Sequence, residues 1–340
     1  MISSELANKL SEYDKISVNT ASQQVSRFKG ARKISGFFKS NQSFIYLDKH
    51  AEDGLVRKTL SEAMFSNGIK YWYTLNALSL HGGMLSQKSL ECYTNYPILP
   101  LKSHIPFHKV MQKFVQADIL VYSKDEYLFS PKFHNVPSSG FYSKTIENIK
   151  AHVLGDFNTL LRNTGIISYD TGEIMAEYGK YRWSFKGVSP IIGLRHSNGN
   201  FGYVLADILI GKPIFQDDVL FFISKVKQIQ SFKNAPKLLP FIIVDDIHPD
   251  ALNALKKEGI VIGFIKELFG PKYAEILKEL IAIFNNAGAS LKANPEKYLE
   301  LIDELRKYNS GLLNNIRGTL FEYLVGHITY SGESEPPIPV

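Results

Sequence analysis

Apolar positions recur with a helical period over residues 3–13, and again from Asn19 or Thr20, read as an N-cap, to about Phe28. The period then shortens to two, so residues 34–38 and 43–47 read as strands around the polar turn Lys39 to Gln42. A related order follows: helical patterns at 55–65, 71–81, 87–93 and, after a proline-containing connection, 107–115, then strands at 118–122 and 127–130 around Ser123-Lys124-Asp125-Glu126. Asn-Val-Pro-Ser-Ser-Gly at 135–140 reads as a linker, since these residues set turns and carry no apolar face. Beyond it lie a helix at 145–162, strands at 181–185 and 188–194, apolar runs at 201–210, 219–226 and 239–244 read as strands, a helix at 249–258 and a strand at 260–264. Runs this continuous imply a mixed sheet buried on both faces. Amphipathic helices are expected at 271–286, 295–308 and 312–330, before a tail rich in Pro and Glu.

This pattern predicts a multidomain α+β or α/β chain, divided 1–50, 51–135, 141–270, a helical extension 271–330 and a tail 331–340. Length agrees, because 340 residues exceed the usual single domain. Cys92 is the one cysteine, which excludes an internal disulfide and fits a reducing compartment. The first fifteen residues lack a signal-peptide apolar region, and no apolar run approaches bilayer length, so the expected location is the cytoplasm, without membrane contact.

Charge changes the picture only when divided along the chain. Residues 1–135 hold 17 Lys and Arg against 11 Asp and Glu, whereas residues 136–340 hold 22 of each, so all the positive excess is N-terminal. Arg27, Lys29, Arg32, Lys33 and Lys39 form an acid-free strip suited to DNA phosphates, whose neutralisation releases counterions. Helix, helix and β-ribbon form the skeleton of a winged helix, in which the second helix enters the major groove. Gln23, Gln24, Ser26 and Arg27 would lie on that helix, and Lys39, Asn41 and Gln42 at the wing tip. Residues 52–132 read as a second such module. Its wing carries Asp125 and Glu126, which favours a protein partner there over phosphate.

The candidate chemistry lies in residues 203–270. Asp207 on one strand and Ser224-Lys225-Val226-Lys227 at the end of the next is a layout suited to phosphodiester hydrolysis, with a carboxylate on Mg²⁺ and a lysine steadying water or developing charge. The element order, and LLPFIIVDDIHPDALNALKKEGIVIGFIKELFG at 238–270, resemble the restriction-endonuclease-like superfamily, the PD-(D/E)xK nucleases of Mrr and Holliday-resolvase type. The resemblance implies Asp207 as metal-binding acid and Lys225 as catalytic lysine, with Lys227 the alternative. The acid that family places two residues before the lysine is absent, Ile223 standing there, so Asp218 or Asp217 would have to supply the second carboxylate for Mg²⁺. Arg317-Gly318-Thr319-Leu320-Phe321-Glu322 resembles the opening helix of an Mrr-type domain, which would bring Glu322 to the metal.

Two other clusters read as structural. Asp245, Asp246 and Asp250 stand where acids cap the next helix. His81, Cys92, His104 and His108 lack the paired spacing of a zinc site. The expected function is therefore a DNA-binding protein with a metal-dependent nuclease-like domain, in restriction or defence. The alternative is a non-catalytic regulator or recognition subunit with a degenerate nuclease fold. Expected partners are double-stranded DNA, a protein bound through the second winged helix or the C-terminal helices, and a second copy of the chain.

Overall fold

The computed structural model describes residues 1–52, 55–102, 104–133, 140–195, 199–232 and 235–285. Contacts divide the chain into two units, one of Met1–Ser138 with Gly179–Arg182, the other of Ser139–Tyr178 and everything from Trp183 onward. The expected helices at 295–308 and 312–330, with Arg317, Phe321 and Glu322, and the tail lie outside the described residues.

The first unit builds one motif twice. In the first copy α1 (Ser3–Asp14) and α2 (Val18–Arg27) precede an antiparallel hairpin of β1 (Arg32–Ser35) and β2 (Ser43–Tyr46). Ser17, two or three residues before the expected cap, caps α2 by accepting the Thr20 N–H. Ile2 bridges antiparallel to Phe44, so the residue before α1 lies on the far side of β2 from β1. Ala7, Ala21, Val25 and Ile45 close a small core with Leu6 and Leu10. After α3 (Asp48–Glu52) and α4 (Leu55–Asn67), the second copy runs α5 (Ile69–Leu80), β3 (Met84–Ser86), α6 (Gln87–Cys92), α7 (Phe107–Gln116), β4 (Leu120–Ser123) and β5 (Glu126–Phe129). Its sheet order is β3-β5-β4, all antiparallel. Both copies thus place an initial strand or bridge against the last strand of the hairpin, with two helices between. The three-residue β3 is too short to show alternation and does not emerge from the pattern.

The second unit is a five-stranded mixed sheet with helices on both faces. After α8 (Gly140–Asn163) come β6 (Glu173–Tyr178), β7 (Tyr181–Ser189), β8 (Gly202–Leu209), α9 (Leu220–Gln230), β9 (Leu238–Val244), α10 (Pro249–Lys257), β10 (Val261–Phe264), α11 (Ile265–Phe269) and α12 (Pro271–Asn285). The order is β10-β9-β8-β7-β6, with β7 antiparallel to β8 and β8, β9 and β10 mutually parallel. Val204, Ala206 and Ile208 of β8 pack with Ile149, Val153 and Phe157 of α8 and with Ile276, Leu277 and Leu280 of α12. The helix starting at Pro271 therefore belongs to this core. Residues 181–189 form one strand where two were expected, and Ile192–Leu194, expected in the second, form a 3-10 turn; Gly187 lies close against the loop after α8, where a Cβ would stand 2.8 Å from Ile167 Cγ2.

One expectation is wrong in kind. Residues 219–226, read as a strand ending in the candidate lysines, form the helix α9. Val, Ile and Phe gave the run a strand-like composition, and a short apolar run carries no period of its own. The decisive signal precedes it. Asp218 accepts the Phe215 N–H at 2.9 Å in the 3-10 turn Gln216–Val219 that opens the helix, where acids are favoured by exposed amides.

Candidate functional site

Asp207 sits on β8, the middle strand of the five, paired in register with Ile242 of β9. Alternation along β8 sends Val204, Ala206 and Ile208 toward α8 and Asp207 to the opposite face. There Lys225 of α9 reaches it: Lys225 Nζ donates to Asp207 Oδ2 at 2.9 Å, and the Ser184 backbone N–H donates to Oδ1 at 2.8 Å. Both charged side chains are 0 % exposed. The ammonium also lies 4.1 Å from the Trp183 ring centroid and 5.5 Å from that of Phe221, and Trp183 meets Phe222 edge-on at 5.6 Å. Removing two ions from water costs several kcal/mol each, and attraction offsets this only with good geometry and further partners. The amide of Ser184 and the indole face of Trp183 supply those partners. Sequence reading missed both residues; an isolated Trp-Ser pair in an apolar strand gives no sign of what faces it.

The four catalytic candidates do not assemble into one centre. Asp207 and Lys225 meet. Asp218 instead caps the turn before α9, Asp217 is exposed, and Lys227 pairs with Glu258 at 2.8 Å. Mg²⁺ needs several oxygen ligands in near-octahedral array and keeps waters among them. Both Asp207 oxygens are engaged, and neither Asp207 nor Lys225 is accessible to solvent. Among the described residues no group of three or more His, Cys, Asp or Glu could hold a metal. The residues present do not fit Mg²⁺ at Asp207.

The acids expected to cap α10 do not cap it, although Asp250 lies in its first turn. Asp245 accepts the N–H groups of Gly211 at 3.1 Å and Asp246 at 3.0 Å, and burial raises its carboxyl above the ordinary range. His248 is the N-cap of α10, with Asp250 in the first turn. His81 is buried, its Nδ1 2.6 Å from the Ala77 carbonyl.

In the first unit Gln24, Arg27, Lys29 and Lys39 are exposed, as are Gln23, Ser26 and Asn41. Two members of the basic strip have partners within the chain. Arg32 Nε lies 2.9 Å from Asp48 Oδ1 on the surface. Lys33 Nζ donates to the carbonyls of Val25 at 3.0 Å and Ser26 at 2.6 Å, closing the C-terminal end of α2. On α7, in the place α2 holds in the first copy, His108, Lys109, Gln112 and Gln116 are exposed while Phe107, Val110, Met111 and Phe114 are buried. In the second hairpin turn, Tyr122 Oη donates to Asp125 Oδ1 at 2.8 Å.

No protein-family model and no curated protein matches the sequence. Two solved structures are similar to it. One is EndoMS in apo form, at 14 % identity over 33 % of this chain and 45 % of that one, with a TM-score of 0.22. The other is protein VC1899 from Vibrio cholerae, at 10 % identity over 70 % of this chain and 55 % of that one, with a TM-score of 0.25. The chain thus spans about half the length of each. Neither likeness is close enough to carry an argument about this protein. No helix among the described residues is long and apolar enough to cross a membrane.

Proposed function

We propose that this chain binds duplex DNA through its first unit, each repeated motif acting as a winged helix, and that the second unit is a nuclease-like core without hydrolytic function. The observation that carries the reading is the repetition itself. A strand or bridge, two helices and a hairpin occur twice with the same first-third-second strand order, and the second helix exposes a polar, acid-free face both times. Gln23, Gln24 and Arg27 on α2 and His108, Lys109, Gln112 and Gln116 on α7 combine groups that reach base edges with groups that neutralise phosphate. Lys29 and Lys39 extend the first surface. A regulator or recognition subunit of a restriction or defence system is the setting this chemistry suits.

The rival reading, Mg²⁺-dependent hydrolysis, has the adjacency of Asp207 and Lys225 in its favour. Their zero exposure stands against it, because a phosphodiester must reach the groups that act on it. Fluorescence anisotropy of a labelled duplex across a salt series tests the proposal. Arg27→Gln, Lys29→Gln and Lys39→Gln together should weaken binding to every duplex and flatten the logarithmic salt slope by roughly one per lost phosphate contact. No duplex binding by the parent chain would defeat the reading. Mg²⁺-dependent plasmid cleavage by the parent, lost in Asp207→Asn, would restore the nuclease.

A further inference from the structure

Three lysines of the first unit belong to the second motif or to the segment bonded to it. Lys70 lies in the first turn of α5, Lys113 near the end of α7 and Lys180 in the segment Gly179–Arg182. Lys113 Nζ donates to Tyr71 Oη at 3.3 Å and stands 5.5 Å from that ring's centroid, which places it beside the turn carrying Lys70. One short stretch fastens the other two: Tyr96 Oη donates to the Lys70 carbonyl at 2.6 Å, and the Ile98 N–H donates to the Lys180 carbonyl at 3.0 Å. All three side chains are half-buried.

Among the described residues no carboxylate pairs with Lys70, Lys113 or Lys180. Burial, and then the Lys113 ammonium, hold Lys70 below the ordinary lysine range. Burial, and then Lys70, do the same to Lys180. Among the described residues no carboxylate offsets either effect. Residues 63–117 contain five lysines and a single acid, Glu91, and that acid is buried and engaged by Arg182 Nε at 2.5 Å and Gln87 Nε2 at 3.0 Å. Half-buried like charges oppose one another's ionisation and weaken the fold that holds them. An anion with several acceptor oxygens beside Lys70 and its neighbours reverses that cost by accepting from their ammoniums.

We infer that Lys70, Lys113 and Lys180 form a phosphate-binding site in the second motif, filled by a backbone phosphodiester of the bound duplex. The inference rests on the DNA-binding reading above and extends it to the motif whose acidic hairpin turn suggested protein contact. Lys113 shares α7 with the exposed His108, Lys109, Gln112 and Gln116, so a duplex held on that helix brings phosphate to the cluster.

The test measures the full chain and its Lys70→Gln, Lys113→Gln and Lys180→Gln variants by duplex anisotropy across a salt series, and by thermal unfolding with and without inorganic phosphate. Lys113→Arg serves as the charge-conserving rescue, and Lys272→Gln, exposed on α12, as the control. Each Gln variant should lower the logarithmic salt slope by about 0.9. Its unliganded melting temperature should hold or rise as the repulsion is relieved, while Lys113→Arg and Lys272→Gln keep the parent slope. Parent-like slopes in all three Gln variants would overturn the site and leave the DNA-binding reading standing. If the parent binds no duplex, but phosphate raises its melting temperature and fails to raise that of Lys70→Gln, the site stands for free phosphate and the DNA-binding reading falls. Absence of both responses overturns both.

Discussion

Lys225→Met isolates what the buried pair contributes. Methionine fills most of the lysine stem's volume beside Trp183 and Phe221 and removes only the ammonium. Asp207 is then left buried, with the Ser184 amide still donating to it. Breaking a buried pair from one side costs about 3–5 kcal/mol, because the surviving charge keeps its desolvation penalty without compensation. For a unit of this size that corresponds to roughly 2–4 °C of melting temperature per kcal/mol. Adding Asp207→Asn discharges the survivor and keeps an oxygen for the Ser184 amide. The double variant should therefore regain about 1–3 kcal/mol relative to Lys225→Met alone, a coupling a double-mutant cycle measures directly. Urea unfolding followed by tryptophan fluorescence is the assay. The chain has two tryptophans, and Trp72→Phe leaves Trp183, whose ring centroid lies 4.1 Å from the Lys225 ammonium, as the reporter of the second unit. A Lys225→Met loss below about 0.5 kcal/mol, the range of ordinary surface substitutions, would refute the sealed-pair argument. So would strict additivity of the two changes.

Two further outcomes follow from buried polar groups. Burial raises the Asp245 carboxyl above its ordinary value, so the folded state binds that proton more tightly than the unfolded chain, and stability from this group declines as pH rises from the ordinary carboxylate range through the raised folded value. Asp245→Asn should accordingly gain on the parent in urea midpoint as pH climbs through that window; a pH-independent difference would show that the site does not titrate as argued. Tyr96→Phe removes the donor to the Lys70 carbonyl and the hydroxyl pair with Thr74 at 2.9 Å, and should cost about 1–3 kcal/mol in unfolding free energy, a parent-like value counting against a sealed network.

What the sequence makes legible here is periodicity that persists over several residues. The helices at 3–13, 55–65, 107–115 and 249–258 emerge within a few residues of their observed ends because each shows an apolar stripe over at least two turns. The hairpin at 118–130 follows from a polar four-residue turn between two alternating runs. Elements that the reading misses are short or fully buried: β3 has three residues, and β6 has just one buried position, Ala176, so it shows neither alternation nor a continuous apolar run. At the candidate site, Asp207 is visible as an acid in an apolar strand. Its partner's true location is not, since the helical α9 buries Phe221, Phe222, Ile223, Lys225, Val226 and Ile229, and burial on nearly every side erases the stripe that marks a helix. In the first unit the basic strip is plain in the sequence, but not that Lys33 turns back onto α2; that depends on where β1 returns beside the helix end. The Lys70, Lys113 and Lys180 cluster draws on residues more than a hundred positions apart, which no local pattern joins.

The misread helix bears directly on function. Were residues 219–226 a strand, Lys225 would lie at the sheet's edge beside the carboxyl end of β8, where water, metal and phosphate all have access. On a helix the same lysine enters from above the sheet. Phe221 and Lys225, four residues apart, share one side of α9, and the ammonium passes through the apolar layer between Trp183 and Phe221 to end on Asp207. The sequence-proposed acid and lysine therefore meet by a different route, and that route closes the pair to substrate. A hydrolytic lysine must exchange its proton with water or stabilise charge on a phosphate, and a metal-binding aspartate must offer oxygens to an ion. Here the lysine satisfies the aspartate, the indole covers the lysine, and the Ser184 amide takes the remaining oxygen. What the arrangement does provide is a fixed register between α9 and β8, since among the described residues Lys225 is the cation paired with Asp207, and sliding the helix by one residue would strand both charges.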